Sequence, residues 1–578
     1  MKKLCATKRI AAAALLACMM ASLASPAAKA YTPANTTMRI GLYFDTTALP
    51  SANLLNVSGY GSGYEFGYYD GDRNFVPIGA STGQNAISML MDRNMAWHPG
   101  EGGGTGEYRE GTDGEVVVGC FHIKIDAPFG TYAQARETAD NYRESFVRYD
   151  SGKFYACTGN YTSREKANEE IISRGISGCS VDAGTAYTTA VVKTGTNTML
   201  FEFDMGSAQH LGVRPISTNG EKTQTWFKKF RYPGGFQYAR RSGEMLTVIN
   251  YINVDEYVKG VLPYEMNNAW PIEALKAQAC AARTYSIFSQ GRHGSRGFDL
   301  CTTEHCQVYR GRNSANDRTD LAVNETAGQY ITYNGELCET YYSSSNGGAI
   351  EDIENVWSVS KPYLRGKVDP YEADIASKIP AYNWSVSYTP AELTERVQSK
   401  GYTCSRIVSA KVSQFTPTGN VYSVTLTDSD GKKITLTKRG QLISVLGVVS
   451  QHFNIGGATE TVVTAGGIYA GNPPKLIDSN APRYAINGDG TVSAIPEGPI
   501  YVITGSGNVE QAGVKESTVS ADADTDANGL TNGKFVFKGK GRGHNIGMSQ
   551  WGAYSMADCH GMSYLEILKF YYTGVDVG

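Results

Sequence analysis

Cysteine is sparse: eleven residues in 578, two of which, Cys5 and Cys18, fall in the N-terminal segment. The nine others are scattered and odd in number, so at least one is free, metal-bound or paired between chains. A dense disulfide scaffold of the kind small secreted domains need is excluded, and packing has to hold the fold. Excess positive charge is missing too. There are 53 Lys+Arg against 56 Asp+Glu, a formal net charge of −3; without residues 1–30, which carry five basic groups and no acid, 48 against 56 gives −8. Nucleic acid and anionic membrane surfaces are therefore poor partners. No heptad run and no fixed-period repeat is present. What is there is 41% hydrophobic and 19% charged residues, with 65 Gly and 37 Tyr, the profile of a folded, turn-rich and β-rich protein; wholesale disorder and a multispanning membrane protein are excluded. At roughly 150 residues per domain, the length allows three or four domains.

The N-terminus has the layout of an export signal. Lys2, Lys3, Lys8 and Arg9 precede an Ala/Leu/Met run over residues 10–24, followed by Pro26 and Ala28-Lys29-Ala30, and cleavage is expected after Ala30. The run is also just long enough for an uncleaved anchor, and Leu15-Leu16-Ala17-Cys18 offers a lipid-attachment site.

Hydrophobic periodicity predicts an α+β protein. Residues 38–44 and 114–118 read as short strands, and 60–71 as a Gly/Tyr-rich hairpin. A small α+β domain follows: strand at 121–125, polar helix at 132–145, strand at 154–157, helix at 163–174 and strand at 199–203. Residues 245–257 are β-branched strand ending in a short acidic turn. A helix is expected from Pro271, with Glu273 near its positive end, to about Gln290. Its Ala274, Leu275, Ala277, Ala279, Cys280, Ala281 and Ala282 are small or apolar nearly all round, which implies a central helix enclosed by other elements. Strands recur at 329–333, 408–413, 421–426 and 433–436. Between 456 and 533 the chain is Gly/Ala/Thr/Asp-rich, with a hairpin-like Asn487-Gly488-Asp489-Gly490, and it changes at Lys534-Phe535-Val536-Phe537.

Two stretches carry resemblances. Gly152-Lys153-Phe154-Tyr155-Ala156-Cys157-Thr158-Gly159-Asn160-Tyr161 with Thr162-Ser163-Arg164-Glu165-Lys166-Ala167 resembles the second half of a SPOR domain, a module that binds peptidoglycan glycan strands stripped of stem peptides. Tyr264-Glu265-Met266, the helix motif from Ala274 to Tyr285, Gln307-Val308-Tyr309-Arg310-Gly311, Tyr341-Tyr342-Ser343-Ser344-Ser345-Asn346-Gly347-Gly348, and the loop from Gly541 to Ala553 together resemble the stage II sporulation protein D family, also called the SpoIID/LytB domain. The resemblance implies a lytic transglycosylase that cuts glycan between N-acetylmuramic acid and N-acetylglucosamine and prefers denuded strands. A non-catalytic cell-wall-binding amidase enhancer is the alternative, as some relatives are described. The implied organisation is a signal at 1–30, a β-rich segment at 31–117, a SPOR-like glycan-binding domain at 118–206, a SpoIID-like catalytic region at 207–458, an inserted β-element or linker at 459–533 and the C-terminal part of the catalytic region at 534–578. The implied location is exported and cell-wall associated, and the implied partners are peptidoglycan glycan strands and a cell-wall amidase, with no nucleic acid.

The residues themselves support one acid. A glycosidic bond breaks through an oxocarbenium-like transition state, and the departing oxygen needs a proton from a carboxylic acid still protonated near neutral pH. Glu265, between Tyr264 and Met266 and downstream of Val261-Leu262-Pro263, stands where partial burial favours the neutral acid, at a loop-to-helix entry. By motif position it matches the family's catalytic Glu. A hydrolase needs a second carboxylate; a lytic transglycosylase does not, because the muramic acid's 6-hydroxyl attacks its own C1. Arg283 and Gln278 are polar residues in an apolar helix. For Arg283, a cleft role holding Glu265 or a sugar carboxylate stands beside an internal salt bridge, and Gln278 reads as structural. By the family match, Tyr341, Tyr342, Ser343, Ser344, His544, Ser549 and Gln550 line the substrate cleft, with Asn346 where the family often has Ser, and Arg542 and Asn545 where it commonly has Trp and Gly. The glycines of the second loop do not make a phosphate loop, since no Lys-Ser/Thr pair follows.

Cys301-x3-His305-Cys306, with His293 eight residues upstream of Cys301, supplies two thiolates and two imidazoles in one loop, a set that suits a closed structural zinc site. A Cys301–Cys306 disulfide or two free thiols is the other reading. Asp524-x-Asp526-x-Asn528-Gly529 copies the start of a calcium loop, but Phe535 stands where the closing Glu belongs, so an acidic linker is expected.

Overall fold

Alternation of buried and exposed residues along short β-branched runs produces sheets throughout the chain. The structure, a computed structural model, describes residues 31–100, 105–218, 220, 222–241, 243–456 and 528–578, together with six short strands between 468 and 512. The expected signal at 1–30, Cys18 included, and Asp524 and Asp526 of the calcium-like motif lie outside the described residues. The fold is α+β and β-rich. It divides into two compact units, residues 1–339 with 577–578, and residues 340–576, so the boundary falls at Glu339/Thr340, inside the stretch that the sequence reading treats as one catalytic region.

The first unit holds two large sheets. One has seven strands in the order Leu300–Cys301, Thr37–Tyr43, Thr247–Asn253, Gly235–Ala239, Leu211–Pro215, Tyr64–Tyr69 and Phe75–Thr82. The other has ten, in the order Cys179–Asp182, Phe121–Ile125, Lys153–Tyr161, Ser145–Asp150, Met199–Asp204, Thr189–Lys193, Ala86–Met91, Ser51–Asn56, Gln224–Phe227 and Phe230–Pro233. Phe66 of the first stacks on Phe201 of the second, centroids 5.0 Å apart. Residues 121–182 form a β-α-β-β-α-β unit with helices α1 (Tyr132–Ala139) and α2 (Arg164–Arg174). It is not closed on itself: Ser145–Asp150 pairs in parallel with Met199–Asp204, and the sheet continues through six further strands. Helix α1 is shorter than predicted, because Asp140 closes it and the chain turns through Asn141 and Tyr142 into the strand beginning at Ser145.

Three helices complete this unit: α3 (Val254–Glu265), α4 (Ile272–Phe288) and α5 (Asp317–Glu325). Helix α3 replaces the expected acidic turn. Val254, Tyr257, Val258, Val261 and Leu262 are all buried at helical spacing, Asn253 caps the start by accepting from Asp255 N–H at 2.9 Å, and Asp255 and Glu256 sit in the first turn, where acids are favoured. Gly260 and Pro263 disguise this pattern in the sequence. Helix α4 is enclosed as predicted, with Ala274 through Ile287 buried except Lys276.

In the second unit, Asn383–Tyr388, Lys534–Lys540 and Phe453–Ile455 form one antiparallel sheet and Ile407–Phe415, Val421–Asp428 and Lys433–Thr437 another. Leu393, Val397, Val424, Leu426, Leu436, Leu442, Phe535 and Phe537 make their common core with the helices Pro390–Ser399 and Lys438–Leu446. The six strands between 468 and 512 pair antiparallel two by two, and the first strands of the pairs begin at Ile468, Tyr484 and Ile500, sixteen residues apart, where the sequence shows no fixed-period repeat.

Candidate active site and metal cluster

Glu265 is the last residue of α3 and half-buried, not at the entry of the following helix. Pro263 in the final turn lacks an N–H, and Met266 N–H closes the helix on the Leu262 carbonyl. The segment 307–311 crosses this end of α3. Tyr309 packs on Tyr257 (4.8 Å between centroids) and donates its hydroxyl to Asn250 Oδ1 at 3.0 Å, while Gln307 donates to Ser286 Oγ at 2.9 Å. A Cβ on Gly260 would lie 2.5 Å from the Tyr309 ring, so only glycine permits this approach. The result brings Val308 N–H to Glu265 Oε1 at 3.4 Å, and the guanidinium of Arg310 lies 5.6 Å from the Tyr264 ring. Two motifs some forty residues apart are thus brought to one corner.

Arg283 does not line it. The residue is fully buried, and its five N–H groups are used internally: Nε on Asp255 Oδ1 at 2.7 Å, Nη1 on Thr326 Oγ1 and the Gln329 carbonyl, and Nη2 on the Val323 carbonyl and Thr326 Oγ1. Of the two roles left open by the sequence, the geometry gives the internal ion pair, so Arg283 leaves the substrate-contact set. Gln278 is fully buried as well, and neither of its amide atoms has a hydrogen-bond partner.

The remaining residues expected to contact substrate belong to the second unit. Tyr342–Ser343 pairs in parallel with Met548–Ser549, so the two sequence-matched loops are neighbours. Gly547, at φ +67°, makes this possible: a Cβ there would stand 2.1 Å from the Tyr341 carbonyl. Rings of Tyr341, Trp357 and His544 cluster, with centroids 4.7 Å (Tyr341–Trp357) and 5.0 Å (Trp357–His544) apart, and Trp357 is 38% exposed. His544 donates from Nε2 to the Tyr342 carbonyl at 3.0 Å and accepts from Ile546 N–H at Nδ1, which fixes a neutral tautomer; burial, with Arg439 nearby, pulls its imidazole down to about 4. Ser343 and Ser344 are half-buried; the Ser344 carbonyl accepts from Trp551 N–H at 3.0 Å. Ser549 is buried and caps helix Gln550–His560 by accepting from Gly552 N–H at 3.1 Å, and Gln550 is buried at the start of that helix.

Beneath these loops lies a carboxylate outside every sequence motif described above. Glu372 is fully buried and accepts from Ser345 Oγ (2.7 Å), Asn346 N–H (2.8 Å), Gly347 N–H (2.9 Å) and Ser549 Oγ. Asp369 accepts from Asn346 Nδ2 and Tyr571 Oη, both at 2.6 Å. Burial first, then the Asp369 charge, push the Glu372 carboxyl up to about 7 against its four donors. Nothing local in Asp369-Pro370-Tyr371-Glu372 marks it as part of a site.

His293, Cys301, His305 and Cys306 come together in the first unit, one donor atom from each lying within 4.8 Å of the others. Both cysteines are free thiols. His293 Nε2 is 3.3 Å from Cys306 Sγ, and His305 Nδ1 is 3.5 Å from Cys306 Sγ and 3.8 Å from Cys301 Sγ. A tetrahedral zinc with ordinary bond lengths puts nitrogen and sulfur ligands about 3.6 Å apart. The donor set and spacing fit the ion. A hydrogen bond from Cys306 holds the Cys301 thiol down at about 3. Arg296 Nη1 approaches His293 Nδ1 at 3.3 Å, a contact that has to give when Nε2 takes a metal.

Residues 242–333 match the profile of the family described as SpoIID, Stage II sporulation protein. The SpoIID family is thus supported for this part of the chain. The match covers Glu265, Arg283 and the four-ligand cluster. Over 324 residues the chain is 33% identical to the amidase enhancer of Bacillus subtilis, covering 55% of this chain and 39% of that protein. Over 168 residues it is 30% identical to stage II sporulation protein D of the same organism, covering 26% of this chain and 48% of that one. An uncharacterized protein of Brachyspira hyodysenteriae is 28% identical over 347 residues, covering 60% of this chain and 72% of its own length. One departure from the SpoIID pattern has a structural reason. Asn545 sits at φ +61°, the left-handed region that glycine occupies freely and asparagine tolerates best among the rest, and its Nδ2 donates to the carbonyls of Asn346 (2.9 Å) and Ala349 (3.2 Å).

Proposed function

We propose that this SpoIID protein is an exported lytic transglycosylase that cuts denuded peptidoglycan strands between N-acetylmuramic acid and N-acetylglucosamine. The family match and the names of the relatives support a cell-wall-related role. The observation that carries the finer reading is the placement of Glu265: half-exposed, at the C-terminal end of a helix whose partial negative charge opposes a carboxylate, with the backbone of the Gln307–Gly311 motif laid against it. In the proposed reaction Glu265 gives its proton to the glycosidic oxygen as the C1–O bond breaks. Its carboxylate then takes the proton of the muramic 6-hydroxyl, whose oxygen bonds to C1 and closes the 1,6-anhydro ring. No water is consumed and no second carboxylate is needed. Turnover of purified denuded glycan tests the proposal: the product ends should carry anhydro sugar, and Glu265→Gln should abolish their formation. Reducing ends without anhydro sugar would make the protein a hydrolase.

His293, Cys301, His305 and Cys306 are proposed to hold a structural zinc ion. When bound, the ion cross-links the loop that ends at Cys306 and leaves no position for water. Val308, whose N–H meets Glu265, stands two residues beyond Cys306. The β-α-β-β-α-β segment within 118–206 is proposed as a second glycan contact, which would raise the local concentration of substrate. The likeness to the amidase enhancer favours a second reading, a wall-binding partner of an amidase with no chemistry of its own. Turnover lost in Glu265→Gln separates the two.

A further inference from the structure

The ten-stranded sheet of the first unit buries a set of side chains that the glycan reading does not use. Asp92, just past the strand Ala86–Met91, His122 in Phe121–Ile125 and Glu202 in Met199–Asp204 are 8%, 1% and 0% exposed. In a flat sheet, three strand spacings would separate His122 from Glu202 by about 14 Å, and Asp92 would be further still. Instead one ligand atom from each of the three lies within 4.8 Å of the other two, so the side chains converge across the sheet.

Asp92 Oδ2 is buried without a hydrogen-bond partner, and buried His122 Nε2 and Glu202 Oε1 have only each other. His122 Nε2 and Glu202 Oε1 face one another at 3.4 Å. The opposite atoms of two of the groups are occupied. His122 Nδ1 lies 2.8 Å from the Gly159 carbonyl, which can only accept, so Nδ1 carries the proton and in the neutral ring Nε2 presents a lone pair. Glu202 Oε2 accepts from Arg148 Nη1 at 3.0 Å. An imidazole donating its far N–H to a backbone carbonyl, and a carboxylate braced from behind by a cation, are the supports that metal ligands ordinarily have.

Charge points the same way. Arg148 also meets Asp182 (3.1 Å), Asp150 (3.3 Å) and Asp204 (3.5 Å), and Lys124 meets Asp182 at 2.7 Å. The buried Arg240 donates to backbone carbonyls of Thr188, Gly243 and Glu244 and acts on Asp92 only through its field. Leaving aside the exposed Arg93, five carboxylates (Asp92, Asp150, Asp182, Asp204 and Glu202) stand against three fixed cations (Lys124, Arg148 and Arg240), a difference that either a divalent ion or two protons, on His122 and Asp92, would close.

We propose that Asp92 Oδ2, His122 Nε2 and Glu202 Oε1 form a second metal site, for a divalent ion that favours nitrogen and oxygen donors, of the zinc or manganese class. The ion balances the charge, gives Asp92 Oδ2 a partner, bridges the His122–Glu202 pair, and ties the 121–182 segment to the strands flanking it. It differs in kind from the thiolate cluster at 293–306, and that difference makes it testable. Protons are the rival occupant: burial and the Glu202 charge push the Asp92 carboxyl well up, and the Glu202 carboxylate raises His122 to about 8 in spite of burial.

The test uses the full chain with Cys301→Ser and Cys306→Ser, which disables the sulfur site. After equilibration with zinc or manganese and removal of free ion, about one equivalent should remain bound. Cobalt in its place should show ligand-field bands without thiolate charge transfer. Adding Asp92→Asn, nearly isosteric, should weaken binding at least about tenfold, with circular dichroism reporting that the chain is folded. Retention of less than a tenth of an equivalent overturns the proposal. Unchanged affinity in the Asp92→Asn protein overturns it also, as does a ring-nitrogen NMR signal showing His122 doubly protonated in protein saturated with metal.

Discussion

Glu265 and Glu372 are both glutamates beside glycine-rich motifs, and they are used in opposite ways. Glu265 ends a helix and is half-buried, with the Val308 N–H 3.4 Å from Oε1; Glu372 is sealed in, with four donors converging on it. The first arrangement leaves a carboxyl within reach of solvent and of a substrate. The second makes a carboxylate the knot that ties Ser345, Asn346, Gly347 and Ser549 into one turn. A motif match puts a residue at an address, but solvent access decides whether it reacts or braces.

The comparison breaks most sharply by exchanging acid for amide at both places. Glu265→Gln should lower turnover of denuded glycan by about 10³-fold or more while leaving thermal unfolding unchanged. Glu372→Gln should do the reverse in kind: an amide NH2 would face a donor, costing about 2–4 kcal/mol in the unfolding of the second unit. If Glu265→Gln destabilised the fold as much as Glu372→Gln, the contrast between the two would be lost.

Arg283 sharpens the same contrast from the side of the cations. Because its guanidinium is consumed by Asp255 and three backbone or hydroxyl acceptors, Arg283→Met should cost about 3–5 kcal/mol of stability, measured by urea unfolding. The protein that remains folded should keep its KM for glycan. A raised KM at unchanged stability would return Arg283 to the cleft.

How much of this was legible depended on the range over which the residues act. The enclosed helix Ile272–Phe288, the strand Phe121–Ile125 and the Cys301/His305/Cys306 spacing are local patterns, and the structure has the two elements and the convergence of those three side chains with His293. Helix Val254–Glu265 was missed although its apolar positions follow a helical period, because Gly260 and Pro263 weigh against a helix and only packing on Tyr309 explains the glycine. Glu372, Trp357 and the Asp92/His122/Glu202 cluster could not be read at all, since each acquires meaning from partners brought in by the fold. Arg283 shows the converse: a polar residue in an apolar helix announces that it has a partner, and the sequence does not say which.

The pH dependence of the second unit tests the knot at Glu372 without any substitution. Its carboxyl is raised from 4.5 in the unfolded chain to about 7 in the folded one, by burial and then by the Asp369 charge, and Asp369 is itself raised by burial. Between these values the folded protein binds more protons than the unfolded one. Stability therefore falls as pH climbs through that window, by up to about 3 kcal/mol from this group, and is flat with respect to it below about pH 4. Unfolding of the second unit followed by urea should thus show a midpoint that drops from pH 5 to pH 8, and the slope should be lost in Glu372→Gln. Ser549→Ala gives the smallest effect, about 1 kcal/mol for the helix cap, and should also lift the carboxyl further, because it removes one of the donors that favour its charged form. A midpoint that rose with pH would mean the four donors outweigh burial, and Glu372 would then be ionised throughout.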